Sequence, residues 1–413
     1  MPLPPAMHLR IFVPFALGYF LSYLYRTVNA VLAPDLVRDL GIDPARLGLL
    51  TSAYFLAFAV AQLPLGILLD RFGPRRVEAL LLLFAAAGAL LFARATTLGE
   101  LMLGRGLIGL GVAACLMAAF KAFSQWFPPD RLPFTNGVQM VSGGLGALAA
   151  TAPVELALQV TDWRGVFLVL SGMTLAVAVC IFTVVPDQAG GLGGESLRQQ
   201  LAGVGSIFSS RTFWGITPWA VSAQATYLSL IGLWAGPWLR DVGGLGRLAV
   251  ANALLGVSLS MIAGYFAFGT LAAHLGRRGI PAARVAAAGM LAFLCVQLPL
   301  FMPWRSPAVL LWLLFGFFGT ACILPYAVLS QQFPPRLAGR VNTGLNLLVF
   351  LAAFAAQWGV GVMVGQWPET ATGGYDPQGY RWGLGLLAGL QGLGAGWYWL
   401  SASRSRPAGK AAA

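Results

Sequence analysis

Four ionisable side chains stand inside long apolar runs of this 413-residue chain: Arg26, Arg105, Lys121 and Glu155. A charge near the centre of a membrane helix costs about 2.5–3.5 kcal/mol on insertion scales, so such a residue faces a cavity or a partner. Arg26 shares a helical stripe with Tyr19, Ser22 and Asn29, spaced by three or four residues. Its guanidinium fork suits carboxylate or phosphate oxygens. Arg105 stands at a similar depth, each Arg roughly 8–10 Å below its nearer helix end at ~1.5 Å per residue. Two cations at one depth point to an anion site. Lys121 comes 16 positions after Arg105, about 160° around a helix, so it faces away and lies near enough to the helix end to snorkel. Glu155, just after Pro153, reads as the only acid well inside a run. It shares the depth of the two arginines, which gives it either an ion-pair or a proton-carrying role. It lies about 160° around its helix from Gln139, and only one of the two can face a central cavity.

Other chemistries find no residues to carry them. The two histidines, His8 and His274, lie outside the apolar runs, and the sequence holds no His/Asp/Glu metal cluster and no G-x-x-x-x-G-K-S/T phosphate loop. Cys115, Cys180, Cys295 and Cys322 all sit in apolar runs and read as small hydrophobes. No catalytic residue, metal or cofactor is expected.

The elements that must hold these charges follow from composition. Apolar residues make up 58% and charged residues 10%, with mean hydropathy +0.75, against about 25% charge in soluble domains. The apolar runs are unbroken, unlike the alternating strands of a membrane barrel. The chain is an all-α polytopic membrane protein with expected spans at 11–33, 48–69, 77–94, 101–124, 134–158, 165–185, 212–236, 248–270, 281–301, 307–331, 341–366 and 382–401. With the N-terminus inside, 15 of the 26 basic residues fall on the inner side, 8 on the outer side and 3 within helices. That bias places both termini in the cytoplasm. The net charge of +12 is mostly loop charge facing an anionic leaflet, and no nucleic-acid partner is needed to account for it. The 24 Arg against 2 Lys, with abundant Ala and Gly, match a GC-rich bacterial genome and hence a bacterial inner membrane. No short cleavable signal peptide stands out.

The Gly-rich stretch 186–211 reads as a cytoplasmic linker between an N-terminal bundle, 1–185, and a C-terminal bundle, 212–413. The halves resemble each other. Ser124-Gln125-Trp126-Phe127-Pro128-Pro129 recurs as Ser330-Gln331-Gln332-Phe333-Pro334-Pro335, and Asn136 matches Asn342, all at an offset of 206. Gly66-x-Leu68 to Gly73-x-Arg75 recurs as Gly269-x-Leu271 to Gly276-x-Arg278. Repeat-related halves with a midplane site between them are a transporter architecture.

The loop Gly66-Ile67-Leu68-Leu69-Asp70-Arg71-Phe72-Gly73-Pro74-Arg75-Arg76 resembles the signature loop of the major facilitator superfamily, G-x-L-x-D-R-x-G-x-R/K-R/K. Arg105-x-x-x-Gly109-x-Gly111-x-Ala113 and Asp162-Trp163-Arg164-x-x-Phe167 resemble two further family patterns. The resemblance covers the whole chain. It implies twelve helices in two pseudo-symmetric six-helix bundles, and a cavity lined by helices one, four, seven and ten. It also implies a latch between the halves built on Asp70, Arg71 and Arg75. Arg26 in a Tyr-Arg setting is similar to the anion:cation symporter branch, with Tyr25 where that branch often has Asp. The second signature loop has Ala273 and His274 in place of Asp and Arg, and the antiport pattern of helix five is reduced to Gln139, Leu148, Ala152 and Pro153.

On this reading the protein is a monomeric secondary active transporter moving a small organic anion, coupled to protons, with the solute and membrane lipids as partners. The substrate-binding residues are Arg26, Arg105, Tyr19, Asn29, Gln224, Tyr227, Trp234 and Tyr326. Glu155, Asp70, Arg71 and Arg75 serve coupling or gating. A porter for neutral hydrophobic solutes and a non-transporting receptor are the alternatives. Reporter fusions check the topology: both ends should give cytoplasmic signal, and a periplasmic signal at either end overturns it.

Overall fold

The computed structural model describes residues 5–128, 131–187, 203, 205–302, 307–370 and 373–404, and every regular element among them is helical. Span one is Pro5–Thr27, a break at Val28 and a bend of 47°, then Asn29–Leu40. Just before the break, Thr27 turns its hydroxyl back to the Tyr23 carbonyl at 2.9 Å, a bond that bends helices. Pro44–Arg94 is 51 residues long. A straight helix of that length would measure ~75 Å, over twice the ~30 Å hydrocarbon core. It breaks at Gly73, whose φ of 79° suits glycine, and so supplies spans two and three.

Span four is Leu98–Gly111 and Cys115–Trp126, opened by a reciprocal Thr97–Glu100 cap. Span five is Leu132–Ala149 and Ala152–Ala157, and span six is Trp163–Val184. Span seven runs Arg211–Ser229, a π turn at Leu230–Trp234, then Ala235–Asp241. Spans eight and nine are Arg247–Arg277 and Ala282–Phe301. Span ten is Ala308–Gly319, a 3₁₀ turn at Thr320–Ile323 and Leu324–Gln331. Pro335–Val364 and Pro377–Arg404 are spans eleven and twelve. Length and apolarity alone single out eight membrane-crossing helices, or nine with the bent pair of span one. Counting Pro44–Arg94 twice and adding the Trp- and Gly-rich spans seven and twelve completes the twelve-helix fold. Of the expected linker 186–211, residues 188–202 and 204 lie outside the described residues.

The breaks obey the internal repeat. The offset of 206 that relates Ser124 to Ser330 carries Val28 onto Trp234 and Ala114 onto Thr320. Spans one and seven, and spans four and ten, therefore lose regular helix at corresponding places.

Small residues let the helices touch backbone to backbone, the usual route to association in lipid. A Cβ on Gly109 would stand 2.2 Å from the Tyr54 carbonyl oxygen, and one on Gly146 2.0 Å from that of Phe20. These contacts lie within the first six spans. Others join the two halves at the end opposite the termini. A Cβ on Gly236 would stand 1.9 Å from the Ala30 oxygen, and one on Gly361 2.4 Å from the Pro44 oxygen.

The two classes of glycine separate stability from conformation. Gly109→Leu should lower the thermal midpoint in detergent, overpacking costing about 1–3 kcal/mol or more. Gly236→Leu should leave that midpoint close to wild type. It should instead speed maleimide labelling of a cysteine placed at Thr51, which is buried and bonded to Gln357 of the other half at 2.8 Å.

Candidate functional site

Between the halves lies a cavity of about 440 Å³, within the range of small-molecule sites. Arg26, Phe58 and Phe350 form its inner end. From there it runs toward the face that carries both termini, past Phe120 near the end of span four, Gly137 near the start of span five and Asn342 near the start of span eleven. Most of the wall is apolar. Tyr326 donates to Asn346 Oδ1 at 2.5 Å, and Asn346 Nδ2 to Gln62 Oε1 of the other half at 3.3 Å. The Tyr23 and Tyr265 hydroxyls, also from opposite halves, are 3.2 Å apart.

Arg26 is the only charged residue in the lining among the described residues. It is 8% exposed. Its guanidinium carbon lies 4.6 Å from the ring centre of Tyr23, 5.4 Å from that of Phe58 and 5.3 Å from that of Phe350. Rings of this kind supply about 0.5–2 kcal/mol each. No carboxylate pairs with Arg26 among the described residues, and its Nε has no hydrogen-bond partner. Tyr23 and Phe58 belong to the first half and Phe350 to the second. Phe58 and Phe350 stack across the interface with centroids 4.0 Å apart.

Of the residues the sequence singles out for a solute, Arg26, Tyr19, Gln224 and Tyr326 line the cavity, while Arg105, Asn29, Tyr227 and Trp234 do not. Arg105 is buried, and both its terminal nitrogens donate to the Tyr25 carbonyl at 3.3 Å, one turn before the break in span one. Asn29 follows that break and points elsewhere, its amide atoms buried without partners. Tyr227 stacks on Phe315 within the second half. Trp234 donates to the Gln357 carbonyl at 2.9 Å, on the side away from the termini. Gln139, the alternative to Glu155 for span five, donates to the Phe15 carbonyl at 3.1 Å and is fully buried.

Glu155 meets neither Arg26 nor Arg105. Its partner is Arg247 at the start of span eight, whose Nε donates to Glu155 Oε1 at 2.5 Å. The same guanidinium grips Asp35 with Nη1 at 3.0 Å and Nη2 at 2.6 Å. One arginine of the second half thus binds two nearly buried acids of the first, from spans one and five. Bidentate charge-assisted bonds of this type are strong and directional. Together with the Gly236 and Gly361 contacts they close the cavity on the side away from the termini.

The comparisons with known proteins bear on this arrangement. Residues 15–357 match the model of the Major Facilitator Superfamily. The chain belongs to that superfamily. Its relatives include a hexuronate transporter of Escherichia coli, 30% identical over 216 residues, covering 48% of this chain and 50% of that protein. A probable sulfoacetate transporter of Cupriavidus necator is 29% identical over 187 residues, 44% of this chain and 43% of that one. These matches span about half the length of the relatives. An inward-facing bacterial homologue of the human lysosomal transporter Spinster shares the fold, with a TM-score of 0.76 at 18% identity over 97% of this chain and 98% of that one.

In this superfamily member the signature loop bonds to the first half and to the start of the linker, not to the second half, among the described residues. Asp70 pairs with Lys121 of span four. Arg75 Nε donates to the Phe182 carbonyl at 2.8 Å, and Arg76 Nη2 reaches Asp187 at 2.5 Å. Arg71 is exposed beside the Phe72 ring. Lys121, expected to face away from Arg105 and to snorkel, is the cation that Asp70 holds.

The sequence reading passes over Phe58, Phe350, Tyr23 and Tyr265, whose aromatic rings look like core until the halves meet. It also passes over Glu78, a second acid within the spans, fully buried with neither carboxylate oxygen bonded. Its position three residues after Arg75 makes it look like part of the charged loop.

Arg247→Ala would leave Glu155 without its cation and Asp35 with only the exposed Arg38, bonded at 3.1 Å. The balance should move about tenfold toward opening on that side, equivalent to ~1.4 kcal/mol. Labelling of a cysteine at Ser22, now buried in the cavity wall, by an impermeant maleimide added on the far side should rise accordingly.

Proposed function

We propose that this chain is a secondary active transporter that carries a small organic anion across a bacterial inner membrane by alternating access. Residues 1–185 and 212–413 are the two bodies that rock, and both termini lie in the cytoplasm. The observation that carries the reading is Arg26: one cation at the inner end of an otherwise uncharged cavity, ringed by aromatic faces and lacking an acid. Aromatic faces offset only part of a buried guanidinium's desolvation, and a visiting carboxylate or sulfonate offers the bidentate partner that the fork lacks. Tyr19, Gln224 and Tyr326 offer hydrogen bonds to the rest of the solute. Relatives named for hexuronate and sulfoacetate support an acid as the solute class.

Arg105 serves span one rather than the solute, by holding a carbonyl next to the break. With the termini inside, the cavity reaches toward the cytoplasm and the Arg247 cluster closes the periplasmic side. Asp70, Arg71 and Arg75 form the latch of the opposite state. In the present state Asp70 is engaged with Lys121, consistent with a latch released while the cavity reaches the cytoplasmic side. Glu155 acts as a gate residue.

The purified protein in liposomes should exchange galacturonate or sulfoacetate, and neutral galactose should not compete. Arg26→Ala should weaken the apparent affinity by at least ~30-fold, about 2 kcal/mol, with Arg26→Lys in between because the charge stays and the fork is lost. Near-normal affinity in Arg26→Ala overturns the anion site. Transport of a neutral apolar dye that is indifferent to Arg26→Ala would favour a porter for neutral solutes.

A further inference from the structure

Behind the cavity wall lies an acid that neither the solute site nor the gate uses. Glu78, on the first turns of span three, is fully buried, and both carboxylate oxygens lack a partner. It lies against Gly18 of span one: a Cβ there would stand 2.2 Å from Glu78 Oε1 and 3.8 Å from Cys115 Sγ of span four. An ionised carboxylate so enclosed, without a cation and with only the weak Cys115 thiol as a donor nearby, is costly, whereas the neutral acid is tolerated.

Among the described residues the surroundings offer no counter-charge. Span one presents a glycine. Span four presents the Cys115 thiol, and its Lys121 is engaged by Asp70. On Glu78's own helix, Arg75 and Arg76 turn to Phe182 and Asp187. Span six holds only Cys180 and the distant Arg164 as titratable groups. Glu78 is nevertheless only one layer from the solute site. Tyr19, next to Gly18, and Leu116, next to Cys115, both line the cavity. Span four is interrupted at 112–114, immediately before Cys115, and Val112 and Ala113 are themselves cavity wall.

We propose that Glu78 is the proton-carrying residue of the transport cycle, a neutral acid sealed by Gly18 and Cys115 that exchanges its proton when the broken segment of span four moves. This rests on the reading of the chain as a transporter. When spans one and four part, cavity water reaches the carboxyl, its O–H bond breaks, and the proton leaves on water. The carboxylate then remains until the opposite state supplies a proton from water on the other side. A carboxylate cannot return to the sealed pocket, so resealing requires reprotonation, and that requirement is the coupling.

The test needs no solute. Spin labels on cysteines at Gln159 and Leu248, both exposed at the face away from the termini and on opposite halves, report opening of that face. Cys180 and Cys295 are first replaced by serine, and the buried Cys115 and Cys322 are kept. The unsubstituted Glu78 protein should shift its label distances with pH, and its infrared spectrum should show a buried carboxylic-acid carbonyl band. Glu78→Gln, neutral and nearly isosteric, should lose the band, cut the pH-dependent shift at least fivefold and hold the acid-side distribution throughout. Glu78→Asp should keep a shift with a displaced midpoint. Asp35 and Glu155 also lie near the labels, but they are intact in every variant and cancel in the comparison.

Arg26→Ala, which removes the proposed anion site, should keep the shift, so failure of the solute reading is read separately from failure of this one. An unchanged pH response in Glu78→Gln, a persisting acid band, or no pH response with Glu78 in place overturns the proposal.

Discussion

Inside a bilayer a helix cannot be interrupted without finding new partners for the backbone groups it frees, since no water is there to take them. This protein interrupts spans one, four, five, seven and ten, and much of its polar architecture follows from that choice. The break at Val28 sits where the Tyr25 carbonyl would serve the next turn, and two nitrogens of Arg105 occupy that oxygen. The cation is tolerated in the interior because it is doing backbone work, with the Tyr54 and Phe92 rings beside it. The π turn of span seven places Trp234 so that its indole N–H meets the Gln357 carbonyl of span eleven. Broken helices at repeat-related positions give each half the same points of compliance, those of spans four and ten in the cavity wall and those of spans one and seven packed together on the far side.

The two ends of the bundle are sealed by different physics. Away from the termini, glycine lets backbone meet backbone, and Arg247 adds a charged clasp on the rim. The aqueous rim suits an ion pair, while the dry layer beneath it suits direct packing. Toward the termini, Asp70, Arg75 and Arg76 of the signature loop are engaged by the first half and the start of the linker, and the cavity runs in that direction.

The spans were legible because apolar runs of bilayer length have few other uses, and the glycine-spaced loop after span two marked the family. Arg26 was legible for the same reason: a charge inside such a run is conspicuous. Its neighbours were not, because the aromatic rings of Phe58 and Phe350 are ordinary core residues until two distant helices bring them together. Helical phase explains most of the remaining differences. Trp234 ends the π turn at Leu230–Trp234, which winds fewer degrees per residue than an α-helix and so shifts its phase relative to Gln224. The bend at Val28 similarly swings Asn29 away from the stripe of Arg26. Glu155 was visible as an acid, yet its partner lies 92 residues away in the other half, beyond any local pattern. Glu78 was hidden by the arginines before it, since a charge one turn past a basic loop reads as loop.

The cage around Arg26 is assembled from both bodies. Tyr23 and Phe58 travel with one, Phe350 with the other. Any motion that opens the far side by separating the bodies must part Phe58 from Phe350 and strip a ring from the guanidinium. The cation then has less to offset its burial and a stronger claim on an anion. On the proposed anion site, the two end states would hold a charged solute with unequal strength. Such an asymmetry makes loading and release differ in half-saturating concentration and rate on the two sides, while the gradients still set the direction of net movement.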